Sequence, residues 1–214
     1  MDSTSEVMGT DEDGRLIAWY GRLSDAVRDL IDAAIRTQAE EDTIRDAHTA
    51  IEAVTGTLRA SQSDRRPEVH YVAGAGFRVN GRPLVWNNAV IGLRNPIAPP
   101  LTIQRDGHRC WSKFHLGAAY EGPPGLVHGG VCALVLDHML GDAASEGLTK
   151  PLFTGTIIVK YLRGTPLGML RADAAIGRTE GAKTFVRGSL SDASGTTAKA
   201  EGVFIRPRWA RNVR

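Results

Sequence analysis

Cysteine is almost missing from this chain. Two residues, Cys110 and Cys132, among 214 are too few for a disulfide framework, and a reducing, cytoplasmic setting is expected. An excess of one charge is missing too. Lys and Arg number 26 against 24 Asp and Glu, a net charge of +2, so composition makes no case for nucleic acid or an anionic membrane as partner. No apolar run is long enough to span a bilayer, and the first residues are polar and acidic, with no apolar leader stretch. Among the six histidines, His70 has no second ligand-type residue at metal spacing. No glycine-rich phosphate loop follows a strand pattern. Neither a metal nor a cofactor is therefore expected. The remainder, 42% hydrophobic and 23% charged, is ordinary globular composition.

One stretch, Tyr120 to Gly141, organises the rest. A stiff turn, Gly122-Pro123-Pro124-Gly125, leads into His128-Gly129-Gly130. An apolar helical run follows through Val131, Leu134, Val135 and Met139, with the carboxylate of Asp137 inside it. Burying a carboxylate in such a run is costly unless it is paired or used. Gly129 and Gly130 stand where the helix should begin. Without side chains they let a ligand approach the unsatisfied N–H donors of a helix N-terminus. The segment therefore offers an oxyanion site at Gly129, Gly130 and Val131, followed by a base. Cys132 reads as a small buried hydrophobe rather than a nucleophile.

Spacing adds a constraint. Asp137 lies seven residues beyond Gly130, two helical turns or roughly 10 Å. Donors and base must each lie within about 3 Å of one reacting group. A given His-Gly-Gly turn is therefore expected to work with the Asp137 of a second copy, which makes the protein a homodimer with two sites at the interface.

The Glu121-Gly122-Pro123-Pro124-Gly125 lead-in, His128-Gly129-Gly130 and an acid nine positions after the histidine together resemble the hotdog-fold acyl-CoA thioesterases. The likeness is greatest to the group related to phenylacetate-pathway thioesterases, and it covers roughly Pro83 to Arg206. It implies an α+β hotdog fold, an antiparallel sheet wrapped around one long helix, in dimers often paired again to tetramers. It implies hydrolysis of an acyl-CoA, with Asp137 as base on water or as nucleophile. His128 would orient a water or the thioester sulfur, or only hold the turn. Thr154 falls where the family places a hydroxyl on the carboxylate, though a plain β-branched strand residue would also suit the position. Asn95, in a Pro-rich entry segment, would line the acyl cavity or belong to a simple connector. Arg163 would meet the nucleotide part of CoA. The acyl group is expected to be a medium- or long-chain fatty group, with aromatic groups also admitted. Two rival readings remain: a non-catalytic acyl-CoA or acyl-chain binding protein, and an enoyl-CoA hydratase-like enzyme, whose closely set Asp and His motif is absent here.

Taken in order, residues 1–14 are predicted to be a disordered tail and 15–60 a helical arm. Apolar residues at helical spacing run from Leu16 to Ile35 and from Ile44 to Leu58. Ser24 is a possible helix cap. Each helix has one narrow apolar face, so each should pack on something. Residues 61–82 read as a linker with an Asn80-Gly81 turn. The domain spans 83–206 and a basic tail 207–214, with Arg206, Arg208, Arg211 and Arg214 either solvated or on CoA phosphates. Alternating segments from His108 to Gly117, Phe153 to Leu162, Leu170 to Glu180, Lys183 to Leu190 and Thr196 to Ile205 predict strands. The short turns between the last of them predict an antiparallel meander.

Overall fold

The structure is a computed structural model describing residues 11–63, 68–79 and 82–211. Two helices open it, α1 (Asp11–Arg36) and α2 (Glu41–Arg59). Three short strands follow, β1 (Val69–Val72), β2 (Gly76–Val79) and β3 (Arg82–Pro83), then β4 (Gln104–Asp106) and β5 (Arg109–Leu116). The central helix α3 (Gly129–Ala144) precedes four long strands: β6 (Phe153–Tyr161), β7 (Gly168–Glu180), β8 (Lys183–Asp192) and β9 (Gly195–Ile205).

The large sheet has six strands in the order β4-β5-β7-β8-β9-β6, every pairing antiparallel. Its inner face wraps α3. Cys132, Val135, Leu136, Met139 and Leu140 of the helix pack on Phe114, Leu170, Val186, Leu190 and Phe204. Burying one such aliphatic side chain contributes about 1.5–3 kcal/mol, so α3 and the sheet stabilise each other and neither stands alone. This is the expected hotdog architecture. The meander is not as expected: β6 pairs with β9 at the far edge, and the chain crosses before β7. Sequence neighbours usually pair, but residues 162–167 carry the chain away, with the Val127 N–H donating to the Thr165 carbonyl at 2.8 Å and the Leu167 N–H to that of Gly125 at 3.1 Å.

Among its described residues, the segment read as a linker contributes to a small sheet, β1-β2-β3. Gly74 and Gly76, at φ 76° and 77°, turn β1 into β2. A Cβ on Gly76 would lie 2.3 Å from the Leu148 carbonyl oxygen, so the hairpin sits directly on the loop after α3. Tyr71 Oη donates to the Thr149 carbonyl at 3.0 Å. Tyr71 and Phe77 meet Trp209 of the C-terminal segment edge-on. The Asn80-Gly81 turn lies outside the described residues, as do the first ten residues of the expected tail and Arg214. Asp11 already begins α1.

The arm divides. Ser24 is no cap: it is buried within α1 and its Oγ donates to the Leu93 carbonyl at 2.6 Å. Tyr20 meets Trp86 edge-on, and the Arg94 guanidinium lies 4.0 Å from the centre of the Tyr20 ring. Those contacts dock α1. No residue of α2 is buried, and Ile44, Ile51, Val54 and Leu58 stay exposed.

Candidate active site

The Pro–Gly lead-in folds back on the start of α3. Glu121 Oε1 accepts the Gly125 N–H at 2.5 Å, and the His128 N–H donates to the Tyr120 carbonyl at 2.9 Å. A Cβ on Gly122 would fall 2.8 Å from His128 Cα, which is why glycine stands there. The turn thereby sets His128 as the N-cap of α3.

His128 then uses up donors. Its Nδ1 accepts the Gly130 N–H at 3.0 Å, and its carbonyl accepts those of Val131 and Cys132 at 2.9 and 3.1 Å. An accepting Nδ1 leaves the ring proton on Nε2. Gly130 and Val131, both expected as oxyanion donors, thus have their N–H groups engaged. The Gly129 N–H, at the first helical position, is left without an acceptor among the described residues. Tyr161, at the end of β6, donates its hydroxyl to the Gly129 carbonyl at 2.7 Å and fixes that peptide. Gly129, Cys132, Tyr161 and Arg163 line a cleft of about 260 Å³.

Asp137 lies elsewhere on the helix. Half-buried, it lines a cavity of about 490 Å³ with Thr154, Phe153, Phe77 and Asn88. Thr154 Oγ1 donates to Asp137 Oδ1 at 3.0 Å. A bulge in β6 gives Thr154 this aim: Thr154 pairs with Phe204 and Thr156 with Val203, and Gly155 between them is skipped. Neither hollow contains both the Gly129 turn and Asp137.

Two expected binding residues are engaged in the fold. Asn95 accepts the Ile97 N–H at 3.2 Å within its own loop and does not line the Asp137 cavity, where Asn88 stands instead. Arg163 makes a two-point pair with Asp192, at 2.8 and 2.5 Å, and a bond to the Gly195 carbonyl. The guanidinium holds the Asp192 carboxyl down at about 2. Arg163 still borders the Gly129 cleft, but its charge is largely spent on the β8–β9 turn.

Sequence reasoning passed over a second carboxylate on α3. Asp142 is fully buried and takes two bonds from Arg105, at 2.8 and 2.5 Å. With both oxygens engaged by the guanidinium, this carboxylate holds α3 to β4. No local signal marks it, because its partner lies 37 residues away on β4. Burial pushes the Cys110 thiol up to about 12 and raises that of Cys132, so neither supplies a thiolate nucleophile. Burial also lowers the pKa of His138, next to Asp137. Among the described residues no group of side chains could hold a metal ion, and no helix is long and apolar enough to cross a membrane.

Known proteins resemble the chain over these residues. Residues 124–199 match the family model of the thioesterase superfamily. Acyl-coenzyme A thioesterase THEM4 of Xenopus laevis is 32% identical over 96 residues, 44% of this chain and 43% of that protein. The chain thus spans less than half the length of that curated relative. A thioesterase superfamily protein of known crystal structure is 28% identical and superposes with a TM-score of 0.74 over 87% of this chain and 90% of its own. That last likeness extends beyond the hotdog domain into the N-terminal elements.

Proposed function

We propose that this hotdog-fold relative of the thioesterase superfamily is an acyl-CoA thioesterase, hydrolysing the thioester to free acid and CoA with water activated by Asp137. The observation that carries the reading is the Asp137 carboxylate held at 3.0 Å by the Thr154 hydroxyl on the wall of a largely apolar cavity. Thr154 occupies Oδ1, which leaves Oδ2 for a water. The thioester oxygen takes the Gly129 N–H, the free donor at a positive helix end. As water attacks the carbonyl carbon, its proton passes to Asp137 and negative charge gathers on the oxygen facing Gly129. Collapse of the tetrahedral intermediate expels the CoA thiolate, which takes a proton from the Asp137 carboxyl or from solvent. His128, whose Nδ1 accepts the Gly130 N–H, leaves Nε2 as a further donor.

The two halves of this machinery stand about 10 Å apart along α3 and border separate hollows. A homodimer that brings Gly129 of one copy to Asp137 of the other resolves the separation. The match to an acyl-CoA thioesterase supports CoA as the carrier of the acyl group.

The test is thiol release from acyl-CoAs by the intact chain and by Asp137→Ala. Loss of a positioned base lowers kcat by about 10²–10⁴. Turnover near the wild-type rate in Asp137→Ala would end the assignment. Binding without thiol release by the wild-type chain favours the non-catalytic binding protein.

A further inference from the structure

We infer that the hairpin β1-β2, through Phe77, is the wall of the Asp137 cavity that selects the acyl group by size. The inference rests on the thioesterase reading of the site and assigns its acyl-binding surface.

The cavity is built from two parts of the chain that are far apart in sequence. One part of the lining is Asp137, Thr154, Phe153 and Phe204, from the helix and sheet of the hotdog domain. The other comes from residues before that domain's long strands, chiefly Val69, Ala75, Phe77 and Val85. The hotdog elements supply the carboxylate and its hydroxyl; the small sheet adds the apolar Val69 and Phe77 to the same lining, with Phe77 against Phe153. An acyl chain whose thioester carbon lies beside Asp137 and fills this cavity meets Val69 of β1 and Phe77 of β2.

This wall is held by ring contacts and by the loop after α3. Phe77 sits among three aromatic rings: Tyr71 at 5.3 Å, Phe153 at 6.0 Å and Trp209 at 6.3 Å between centroids. The hairpin is pinned at its turn by the close approach of Gly76 to Leu148 and at its flank by the Tyr71–Thr149 bond. A side chain so clamped cannot swing aside for a larger ligand without breaking several contacts. Apolar cavities of about 150 Å³ take a benzene ring. The 490 Å³ here takes a ring with its linker or an alkyl chain of intermediate length, and Phe77 sets the limit.

Affinity, rather than turnover, gives the direct test. Calorimetric Kd values are measured for acetyl-, hexanoyl-, decanoyl-, palmitoyl- and phenylacetyl-CoA on the Asp137→Asn protein, with Phe77 intact and with Phe77→Ala. The truncation is expected to raise the palmitoyl-over-hexanoyl affinity ratio by about tenfold and to weaken phenylacetyl-CoA. Phe77→Trp shifts the ratio the other way. Phe77→Leu, which keeps most of the packing volume, gives a smaller shift in the same direction as alanine and serves if the alanine variant does not fold. A selectivity profile unchanged by all three substitutions overturns the inference, even if the wild-type enzyme hydrolyses every substrate. If the profile shifts but no thiol is ever released, the wall stands and the hydrolase reading falls. Failure of every acyl-CoA to bind rejects both.

Discussion

At the N-terminus of α3 the distribution of N–H groups decides the chemistry. His128 takes the Gly130 N–H on its ring and the next two on its carbonyl, so the Gly129 N–H is the donor that remains. A substitution isolates it. Proline is favoured at the first helical position, where it removes an N–H that has no partner in the helix. His128, at φ −58° and ψ 133°, already has the extended backbone that a following proline requires. A Cβ at Gly129 meets Tyr161 no closer than 3.5 Å. Gly129→Pro should therefore fold with a near-native melting temperature and lose about 10²–10³ in kcat. Equal kcat in the variant, read by thiol release, would place the oxyanion elsewhere.

Among the elements, β6 sets Thr154 on Asp137 through an irregularity in its pairing. Gly155 is the residue the ladder skips, and the skip turns Thr154 toward Asp137. A Cβ there would lie 2.6 Å from Ile205 Cδ1 and 3.2 Å from the Val203 carbonyl. The Ile205 side chain can yield; the backbone yields less. Gly155→Val should flatten or shift the bulge and pull Thr154 from the carboxylate. The expected result is a fall in kcat of about tenfold or more, with KM for the same acyl-CoA changed much less. A fall in KM-type binding alone would show that Thr154 does not serve the reacting group. The small sheet illustrates the same point from the other side: glycines that read as linker make its turn, and the sheet they shape walls the cavity.

At the scale of the whole molecule, the proposed donor and base lie farther apart than one reacting group spans. The Gly129 turn and Asp137 sit two turns apart on a continuous helix, so the proposed site needs two copies in a twofold arrangement. Mixing Asp137→Asn and Gly129→Pro chains, each nearly inactive, tests this directly. A hybrid dimer has one site with an intact donor and an intact base, and one with neither. Random exchange of subunits should restore roughly a quarter of the wild-type activity. No recovery in a mixture shown by native mass spectrometry to contain hybrids would mean that each site is completed within its own chain. The exposed apolar stripe of α2 gives no such argument, since nothing in the structure covers it.

Much of this was legible in the residues because it depends on local pattern. Apolar residues at helical spacing marked α1, α2 and α3, and alternation marked β5 to β9 to within a few residues. Asp137 stood out as a carboxylate in an apolar run. The glycines ahead of it marked the helix start, and the family resemblance pointed to Thr154. Tertiary structure decided what depends on distant partners. Where the His128 ring turns determines that Gly129, not Gly130, keeps a free N–H. Whether β6 lies beside β7 or beside β9 depends on where residues 162–167 are held, which no strand pattern records. Asp142 looks like another helix carboxylate until Arg105 reaches it, and only the fold puts Asn88 rather than Asn95 on the Asp137 cavity. Phe77 gains its place only when a hairpin folds onto the far end of α3. Periodicity and composition are properties of neighbours along the chain, whereas the ownership of a hydrogen bond or a cavity wall is settled by elements that meet only after folding.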